Sequence, residues 1–353
     1  MSARSRKPGI GQTIIRNTQG DGSQPSDYEY LTFLIKAPAT GRVRITGFEL
    51  RLLNRAQGVL VDGPPWAEVR VDNCKFVESH ERACRVKSLL CGLFHSCVFV
   101  DCRKVFGNYA YGHRDLSWQT PLTIGTVSNT VVEDCEIRYT DAFERNLALL
   151  ASHGLGARAT WRHNLIVNEK AGLDALPSLD AHGNQQPVSA DNTGGHRGTR
   201  SLEWYNNTTR WHNSSGSRCK PTQIRGGTFI AFGNTYTGRD VAPFFELREE
   251  DGDNRLNYID PSTWPGYDMH WAWIWNNTCN GETMRYSYNA PDTKPFTVLG
   301  KNIFTRPPQP DDPPVIPGRH CSTPADRVYP YTPLAYPHPW RAPAIPGGLQ
   351  LDR

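Results

Sequence analysis

Eight short windows of the sequence share one pattern, and this repeat restricts the possible folds more than any other feature. Each window has a strand-like run, then a polar pair that ends in Cys or Asn, then a second strand-like run. The windows are VRVDNCKF (69–76), GLFHSCVF (92–99), TVVEDCEI (130–137), ATWRHNLI (159–166), LEWYNNTT (202–209), FIAFGNTY (229–236), AWIWNNTC (272–279) and TVLGKNIF (297–304). The repeat indicates a chain built from stacked copies of one unit.

The last residue of each polar pair forms a column when the windows are aligned. The column contains Cys74, Cys97, Cys135, Asn164, Asn207, Asn234, Asn277 and Asn302. Stacked Asn side chains can hydrogen-bond along the stack, as amide ladders do. Cys fits the same inward corner as a small apolar residue. The segments RITGFEL (44–50) and TIIRNTQ (13–19) fit two further turns upstream.

The repeats are spaced irregularly, from 23 to 43 residues apart, while their strand-like runs alternate with a period of two. This combination is typical of a solenoid whose strands stack while its loops accept insertions. Residues 306–353 contain PPQPDDPPVIPG and YPYTPLAYPHPW, which cannot form central strands because proline lacks a backbone donor. We therefore predict two parts, a solenoid in residues 1–305 and an extended Pro-rich segment in residues 306–353.

The column and the variable loops resemble the right-handed parallel β-helix of the pectate lyase-like superfamily, over roughly residues 13–305. The resemblance implies an all-β fold, a solenoid of about nine to ten coils with the Pro-rich segment packed on it as a C-terminal strap. Another β-solenoid or an irregular β-sandwich is the alternative. In the family each coil has three strands, and the outer face of the first strand lines the usual substrate groove. Here the candidate first strands are ACRVKS (83–88), RKVFGN (103–108), LALLAS (147–152), SLDAHG (178–183), TQIRGG (222–227) and PFFELR (243–248).

Alternation along the last three of these strands divides their residues between the core and the groove. The inward residues are Leu179, Ala181, Ile224, Phe245 and Leu247. The outward residues are Asp180, His182, Gln223, Arg225, Glu246 and Arg248. Because neighbouring strands are about 4.8 Å apart, the outward residues are expected in one patch three coils wide. Long connections at 183–200 and 249–270 flank the patch and add Asp191, Arg197, Arg200 and Trp264 as candidates.

Arg225 carries a more local resemblance. Pectate lyases have a stretch R-x-P-x-x-R-x-G, then a strand and an Asn-containing turn that ends in an aromatic residue. Arg225, Gly227, Asn234 and Tyr236 match that order, but Pro221 stands four residues before Arg225 instead of three. Only Arg225 is therefore carried over, as the residue that resembles the proton-abstracting arginine of the family.

Arg218 and Lys220 remain candidate substrate clamps. The family also implies Ca²⁺ as a cofactor. Its calcium-binding aspartates have no residue-by-residue match here, so Asp180 and Asp191 are metal candidates by position only.

Three functions fit these residues. A polysaccharide lyase needs a base and a cation beside a uronate carboxylate, and Arg225, His182 and Asp180 are the catalytic candidates. His182 is chemically an easier base at neutral pH than arginine. An inverting glycoside hydrolase would use Asp180 and Glu246, about 9.6 Å apart by strand spacing, near the upper end of the roughly 6.5–9.5 Å range. A non-catalytic tail-spike-like or adhesin-like solenoid would bind the same polysaccharide without cleaving it.

Composition excludes several other classes. The net charge of +4 comes without a Lys/Arg block, so nucleic acid is not an expected partner. The sequence contains no apolar run of about 18 residues, so no membrane span is expected. Nine cysteines without a CxxC pair do not form a zinc pattern. The basic start, MSARSRKPGIGQ, lacks the apolar middle of a signal peptide. The expected substrate, an acidic polysaccharide, nevertheless favours an extracellular or virion-associated protein.

Overall fold

The computed structural model describes residues 13–17, 31–52, 57–79, 81–143, 149–170, 173, 179–183, 198–211, 222–238, 244–248, 269–289, 299–300, 302–314, 326–341 and 350–352. The first strands are β1 (Thr13–Asn17), β2 (Leu31–Lys36), β3 (Arg42–Thr46), β4 (Phe48–Leu52), β5 (Gln57–Asp62), β6 (Glu68–Asp72), β7 (Lys75–Val77), β8 (Arg82–Val86), β9 (Cys91–His95), β10 (Val98–Val100) and β11 (Lys104–Tyr109). A short helix, α1 (Arg114–Gln119), follows.

The chain continues with β12 (Thr130–Glu133), β13 (Glu136–Tyr139), β14 (Leu149–Gly154), β15 (Arg158–Arg162), β16 (Leu165–Asn168), β17 (Leu179–Ala181), β18 (Ser201–Tyr205), β19 (Thr208–Trp211) and β20 (Thr222–Ile224). The last strands are β21 (Gly227–Phe232), β22 (Thr235–Gly238), β23 (Phe244–Arg248), β24 (Met269–Trp275), β25 (Thr278–Cys279), β26 (Glu282–Thr283), β27 (Arg285–Asn289), β28 (Ile303–Phe304) and β29 (Gln350–Asp352). None of the residues covered by the structure forms a helix long and apolar enough to cross a membrane.

Successive strands pass in turn through three long sheets, which we call A, B and C. Sheet A has the order β1-β4-β7-β10-β13-β16-β19-β22-β25-β26, and sheet B has β2-β5-β8-β11-β14-β17-β20-β23-β27. Sheet C has β28-β24-β21-β18-β15-β12-β9-β6-β3-β29. Within the coils each strand pairs in parallel with the equivalent strand of the next coil. The predicted all-β fold, a right-handed parallel β-helix with a C-terminal strap, is confirmed.

The candidate first strands coincide with β8, β11, β14, β17, β20 and β23, which all belong to sheet B. Leu179, Ala181, Ile224, Phe245 and Leu247 are fully buried in the core. The predicted alternation of inward and outward residues on these strands is therefore correct.

The asparagine column forms the expected ladder at the turn from sheet C to sheet A. The side-chain nitrogen of Asn164 donates to Oδ1 of Asn207 at 2.9 Å, Asn207 donates to Asn234 at 3.0 Å, and Asn234 donates to Asn277 at 2.7 Å. Each Oδ1 also accepts the backbone N–H of the ladder residue in the preceding coil. The ladder thus satisfies buried polar groups in four successive coils.

Cysteine continues the column toward the N-terminus with a weaker donor. The thiol of Cys135 donates to the carbonyl of Phe94 at 3.7 Å, just as the amide of Asn164 donates to the equivalent carbonyl of Val132 at 3.0 Å. Residues before the ladder positions, such as Asn206 and Asn276, have positive φ of 55° and 52°. Asn tolerates this left-handed conformation, which explains the polar residue that precedes the ladder.

Asn302 is a correction to the predicted column. Ile303 pairs with Ala272 of β24, so Asn302 lies at the start of a sheet C strand and not at the turn that follows one. Leu299, the expected inward residue of this window, is 58% exposed. In this coil the sheet C strand is formed by Ile303 and Phe304, which follow Asn302 instead of preceding it. Asn302 therefore lies before the strand, whereas the ladder residues lie after theirs.

Residues 306–314, 326–341 and 350–352 run along the outer face of sheet C, from the last coils back to the first. The contacts along this segment are Asp312 with Trp273 (2.9 Å), Tyr331 with Glu203 (2.7 Å), Ala335 with Arg162 (2.9 Å) and Trp340 with Arg70 (2.6 Å). At its end β29 pairs antiparallel with β3. This segment covers sheet C, whereas the predicted site residues lie on sheet B.

Candidate functional site

Two rows of outward residues run across sheet B. The first outer row contains Arg85, Gly107, Ser152, Asp180, Gln223 and Glu246, which are register partners in successive coils. The second outer row stands two positions after the first row in each coil and contains Lys87, Tyr109, Gly154, His182 and Arg225. The predicted residues therefore lie side by side on the outer face of sheet B, and the two rows extend toward the N-terminal coils.

Arg225 directly follows β20 and stands two residues before Gly227, where β21 begins. Gly227 has a φ of 85°, and a Cβ there would lie 2.3 Å from the carbonyl oxygen of Thr199, so only glycine fits. The backbone N–H of Arg225 donates to the carbonyl of Ala181 at 2.8 Å. These contacts hold Arg225 beside the preceding coil.

The guanidinium of Arg225 joins Asp180 and His182 into one cluster. Nε and Nη2 donate to the two carboxylate oxygens of Asp180 at 2.9 and 2.6 Å, which is a bidentate ion pair. Nη2 also lies 2.7 Å from Nδ1 of His182. The three side chains are between 10% and 15% exposed, so the cluster is partly desolvated but reachable from solvent.

The cluster continues through hydrogen bonds to two residues from the preceding coils. Nε2 of His182 lies 3.2 Å from Oγ of Ser152 and 3.4 Å from Oδ2 of Asp180. Ser152 in turn forms a short hydrogen bond with the hydroxyl of Tyr109. Tyr109, Ser152, His182, Arg225 and Asp180 thus form one hydrogen-bonded chain across four coils.

Gly154 allows Tyr109 to reach Ser152. Gly154 is the register partner of Tyr109 in the second outer row. A Cβ on Gly154 would lie 3.3 Å from the Tyr109 ring and 3.5 Å from Cβ of His182. Since the glycine has no side chain, the tyrosine ring can lie over the next coil.

A cationic and aromatic surface lies on the N-terminal side of the cluster. Cζ of Arg82 and Cζ of Arg85 are 5.7 and 5.9 Å from the centroid of Tyr109, and the ammonium of Lys87 is 5.7 Å from that of Tyr111. These are cation–π distances. Both tyrosines are half-buried. Flat rings with adjacent positive charge suit a sugar chain that carries carboxylates.

The other predicted residues are distributed as follows. Gln223 is half-buried and lies between Asp180 and the buried Glu246 in the first outer row. Arg248 ends β23, but its side chain is outside the described part, as are Asp191, Arg197, Arg218, Lys220 and Trp264.

Arg200 is described but lies apart from the cluster. Its Nη2 donates to Asp326 at 2.8 Å, its guanidinium lies 5.1 Å from the Trp118 centroid, and the residue is 1% exposed. These contacts give Arg200 a structural role between the solenoid and the C-terminal segment, in place of the predicted substrate contact.

The described residues around Asp180 do not fit a calcium ion. Calcium takes six to eight oxygen ligands, but both oxygens of Asp180 already accept hydrogen bonds from a cation. In the part of the chain covered by the structure, no group of three His, Cys, Asp or Glu side chains could hold a metal ion. Calcium therefore stays a prediction that depends on residues such as Asp191.

Sequence reasoning missed Tyr109, Ser152 and Gly154 as members of the site. The alternation rule already places them outward, because Phe106, Ala151 and their neighbours are core residues. The alternation does not show, however, that the side chains of Tyr109, Ser152 and His182 from three successive coils form hydrogen bonds with one another.

Comparisons with family models, with curated proteins and with solved structures find no match to this chain. The β-helix architecture therefore rests on the stacked parallel strands themselves.

Proposed function

We propose that this protein cleaves an acidic, uronate-containing polysaccharide by β-elimination, at the cluster of Asp180, His182 and Arg225. The observation that carries the proposal is the bidentate Arg225–Asp180 pair on the outer face of sheet B, with His182 in direct contact. The resemblance to the pectate lyase-like superfamily supports the same location, because Arg225 resembles in motif order the family's proton-abstracting arginine, although we assign Arg225 a different role here.

Arg225 suits the role of the charge-stabilising cation. β-Elimination removes the proton next to the uronate carboxylate, and negative charge then develops on that carboxylate. Asp180 holds the guanidinium in place before substrate arrives, so little reorganisation is needed. Because Arg225 donates to Asp180 and His182 at once, its guanidinium is suited to act as a fixed cation and not as the base.

The cationic and aromatic surface supports an acidic polymer as the substrate. Arg82, Arg85 and Lys87 with two tyrosines extend the cluster along the solenoid, where a chain of sugars can lie. An extracellular or virion-associated location would agree with such a substrate.

The experiment is incubation of the purified protein with pectate, alginate and glycosaminoglycan panels, with the absorbance of unsaturated uronates as the readout. Unsaturated products that disappear with Arg225→Ala, while the β-rich circular dichroism persists, would support the proposal. New reducing ends without that absorbance would instead indicate hydrolysis, for which the common row of Asp180 and Glu246 is the structural argument. Binding without either product would indicate a carbohydrate-binding solenoid.

A further inference from the structure

The direction of the hydrogen bonds in the site follows from one contact. A guanidinium can donate hydrogen bonds but cannot accept them. Nη2 of Arg225 lies 2.7 Å from Nδ1 of His182, so this ring nitrogen accepts. In a neutral imidazole only one nitrogen carries a hydrogen, and it must then be Nε2.

Nε2 of His182 therefore donates, and its nearer acceptor is Oγ of Ser152 at 3.2 Å, with Oδ2 of Asp180 at 3.4 Å. If Ser152 accepts from His182, its own hydrogen is directed to its other partner, the hydroxyl oxygen of Tyr109. The order of donation is then Arg225 to His182, His182 to Ser152, and Ser152 to Tyr109. Tyr109 is the last acceptor in this chain.

This order assigns Tyr109 a different role from His182. Both nitrogens of His182 have partners inside the chain, so proton abstraction by His182 would first require the loss of the Arg225 contact. Tyr109 receives a hydrogen bond on its hydroxyl oxygen, so its own hydrogen is not used within this chain. Arg82 and Arg85 lie 5.7 and 5.9 Å from its ring centroid and place positive charge beside it.

We propose that Tyr109 is the catalytic residue that moves the proton in this elimination, and that its substrates are polymers of glucuronate or mannuronate. The inference rests on the proposed function. Ser152 and His182 are then positioning residues that direct a hydrogen bond at Tyr109, and Gly154 provides the space for its ring.

The step balances with residues of the site. Once the Tyr109 hydroxyl has lost its hydrogen to solvent, its oxygen takes the proton from C5, and the electron pair of that C–H bond becomes the C4=C5 double bond. The C4–O4 bond breaks with its electron pair on O4. O4 then takes the proton from Tyr109, which regenerates the phenolate. Arg225 stabilises the charge on the carboxylate while the C5 proton is absent.

The substrate class follows because Tyr109 both takes the proton from C5 and gives it to O4. All proton-carrying groups of the described cluster lie on one sheet face, so they contact one face of the sugar. Hydrogen 5 and oxygen 4 must then be on the same face of the ring. Glucuronate and mannuronate meet this condition, whereas galacturonate, guluronate and iduronate carry the two on opposite faces.

The test compares polymannuronate, glucuronan and hyaluronan with polygalacturonate and polyguluronate. We expect initial rates of unsaturated product at least about 100-fold higher on the first three, as the contribution of one proton-transfer group suggests. Tyr109→Phe should lower kcat by about 10²–10⁴ with little change in KM. Tyr329→Phe, at an exposed tyrosine of the C-terminal segment that lies on sheet C, is the matched control and should retain activity. A preference for polygalacturonate or polyguluronate, or an active Tyr109→Phe variant, would overturn the proposal.

Positioning by Ser152 has a separate readout. Ser152→Ala should lower kcat and shift the pH dependence of kcat. Ser152→Thr, which keeps a hydroxyl, should retain part of the wild-type kcat. In the wild-type protein, ¹⁵N NMR of His182 should show a hydrogen on Nε2 and none on Nδ1. The opposite tautomer would reverse the order of donation and refute the assignment without any activity measurement.

The two proposals can fail separately. A wild-type protein that yields no unsaturated product from any polymer would refute the elimination and the role of Tyr109 together. Elimination that requires Arg225 but proceeds with Tyr109→Phe would refute only the role of Tyr109.

Discussion

The two carboxylate oxygens of Asp180 each accept one hydrogen bond from Arg225, which lies 45 residues later in the sequence and one coil further along the solenoid. The residues are adjacent because Asp180 pairs with Gln223 and Arg225 follows two positions later. This pair links two coils on the outer face of sheet B and places a positive charge beside His182.

Arg225→Ala should lower kcat/KM by at least about 10²–10³, as the loss of one charge-stabilising donor does in other enzymes. Arg225→Lys should also be impaired, because an ammonium cannot form the bidentate pair. Arg210→Ala, an exposed arginine on sheet A, is the control and should remain active. Steady-state kinetics on the best polymer of the panel would measure the effect, and equal rates for both alanine variants would argue against the site.

Asn234→Ala should destabilise the solenoid by about 2–4 kcal/mol. The change removes hydrogen bonds to Asn207, Asn277 and the carbonyl of Trp204, and it leaves buried backbone groups unsatisfied. Thr235→Ala, at the exposed neighbouring position, should change the free energy of unfolding by less than about 0.5 kcal/mol. Urea denaturation of the two variants would measure the difference, and similar midpoints would contradict a structural role for the ladder.

Acid should destabilise the protein below pH 6.5 through its buried histidines. Burial lowers the pKa of His153 to about 3 and that of His95 to about 4, from the ordinary 6.5. The unfolded chain therefore binds protons at a higher pH than the folded protein does. The stabilisation is complete above pH 6.5 and is lost as the pH falls toward 4.

The measurement is the free energy of unfolding from pH 6.5 to 4.5. Each histidine contributes a slope of up to about 1.4 kcal/mol per pH unit. His153→Gln should reduce the total slope by about that amount. Asn234→Ala, which weakens the fold by another route, should keep the slope of the wild-type protein.

Tyr331→Phe should weaken the attachment of the C-terminal segment. Its hydroxyl donates to the fully buried Glu203 at 2.7 Å, and burial raises the pKa of that carboxyl. Loss of a hydrogen bond to a buried charged group costs about 1.5–3 kcal/mol. Tyr329→Phe, 42% exposed in the same segment, is the matched control. Thermal denaturation would measure the effect, and we expect a lower Tm for Tyr331→Phe than for Tyr329→Phe. Equal Tm values for the two variants would contradict this expectation.

Most of the fold was predictable because its determinants are local. The column of Cys and Asn marks a turn that recurs along the solenoid, and the alternation of apolar and polar residues around Ile224 marks one strand and its two faces. Asn302 shows the limit of this reasoning, since a polar residue between apolar runs has the same pattern at either end of a strand. Only the pairing of Ile303 with Ala272 distinguishes the two.

The site was predictable in part. Asp180, His182 and Arg225 meet because register and alternation bring them together, and both can be read from the strands. Tyr109 and Ser152 required more, because β11 and β14 are separated by a long insertion that contains α1. Their contact also depends on the missing side chain at Gly154, whose effect appears only when the coils are stacked.

The pairing of β29 with β3 has a consequence for biosynthesis. β3 ends at Thr46 and β29 begins at Gln350, so the ribosome must make the intervening chain before this edge of sheet C can close. At 5–20 residues per second the delay is roughly 15 to 60 seconds. During that time β3 lacks its β29 partner and has no other edge partner among the described strands, which is the condition under which chaperones and neighbouring nascent chains compete with native folding.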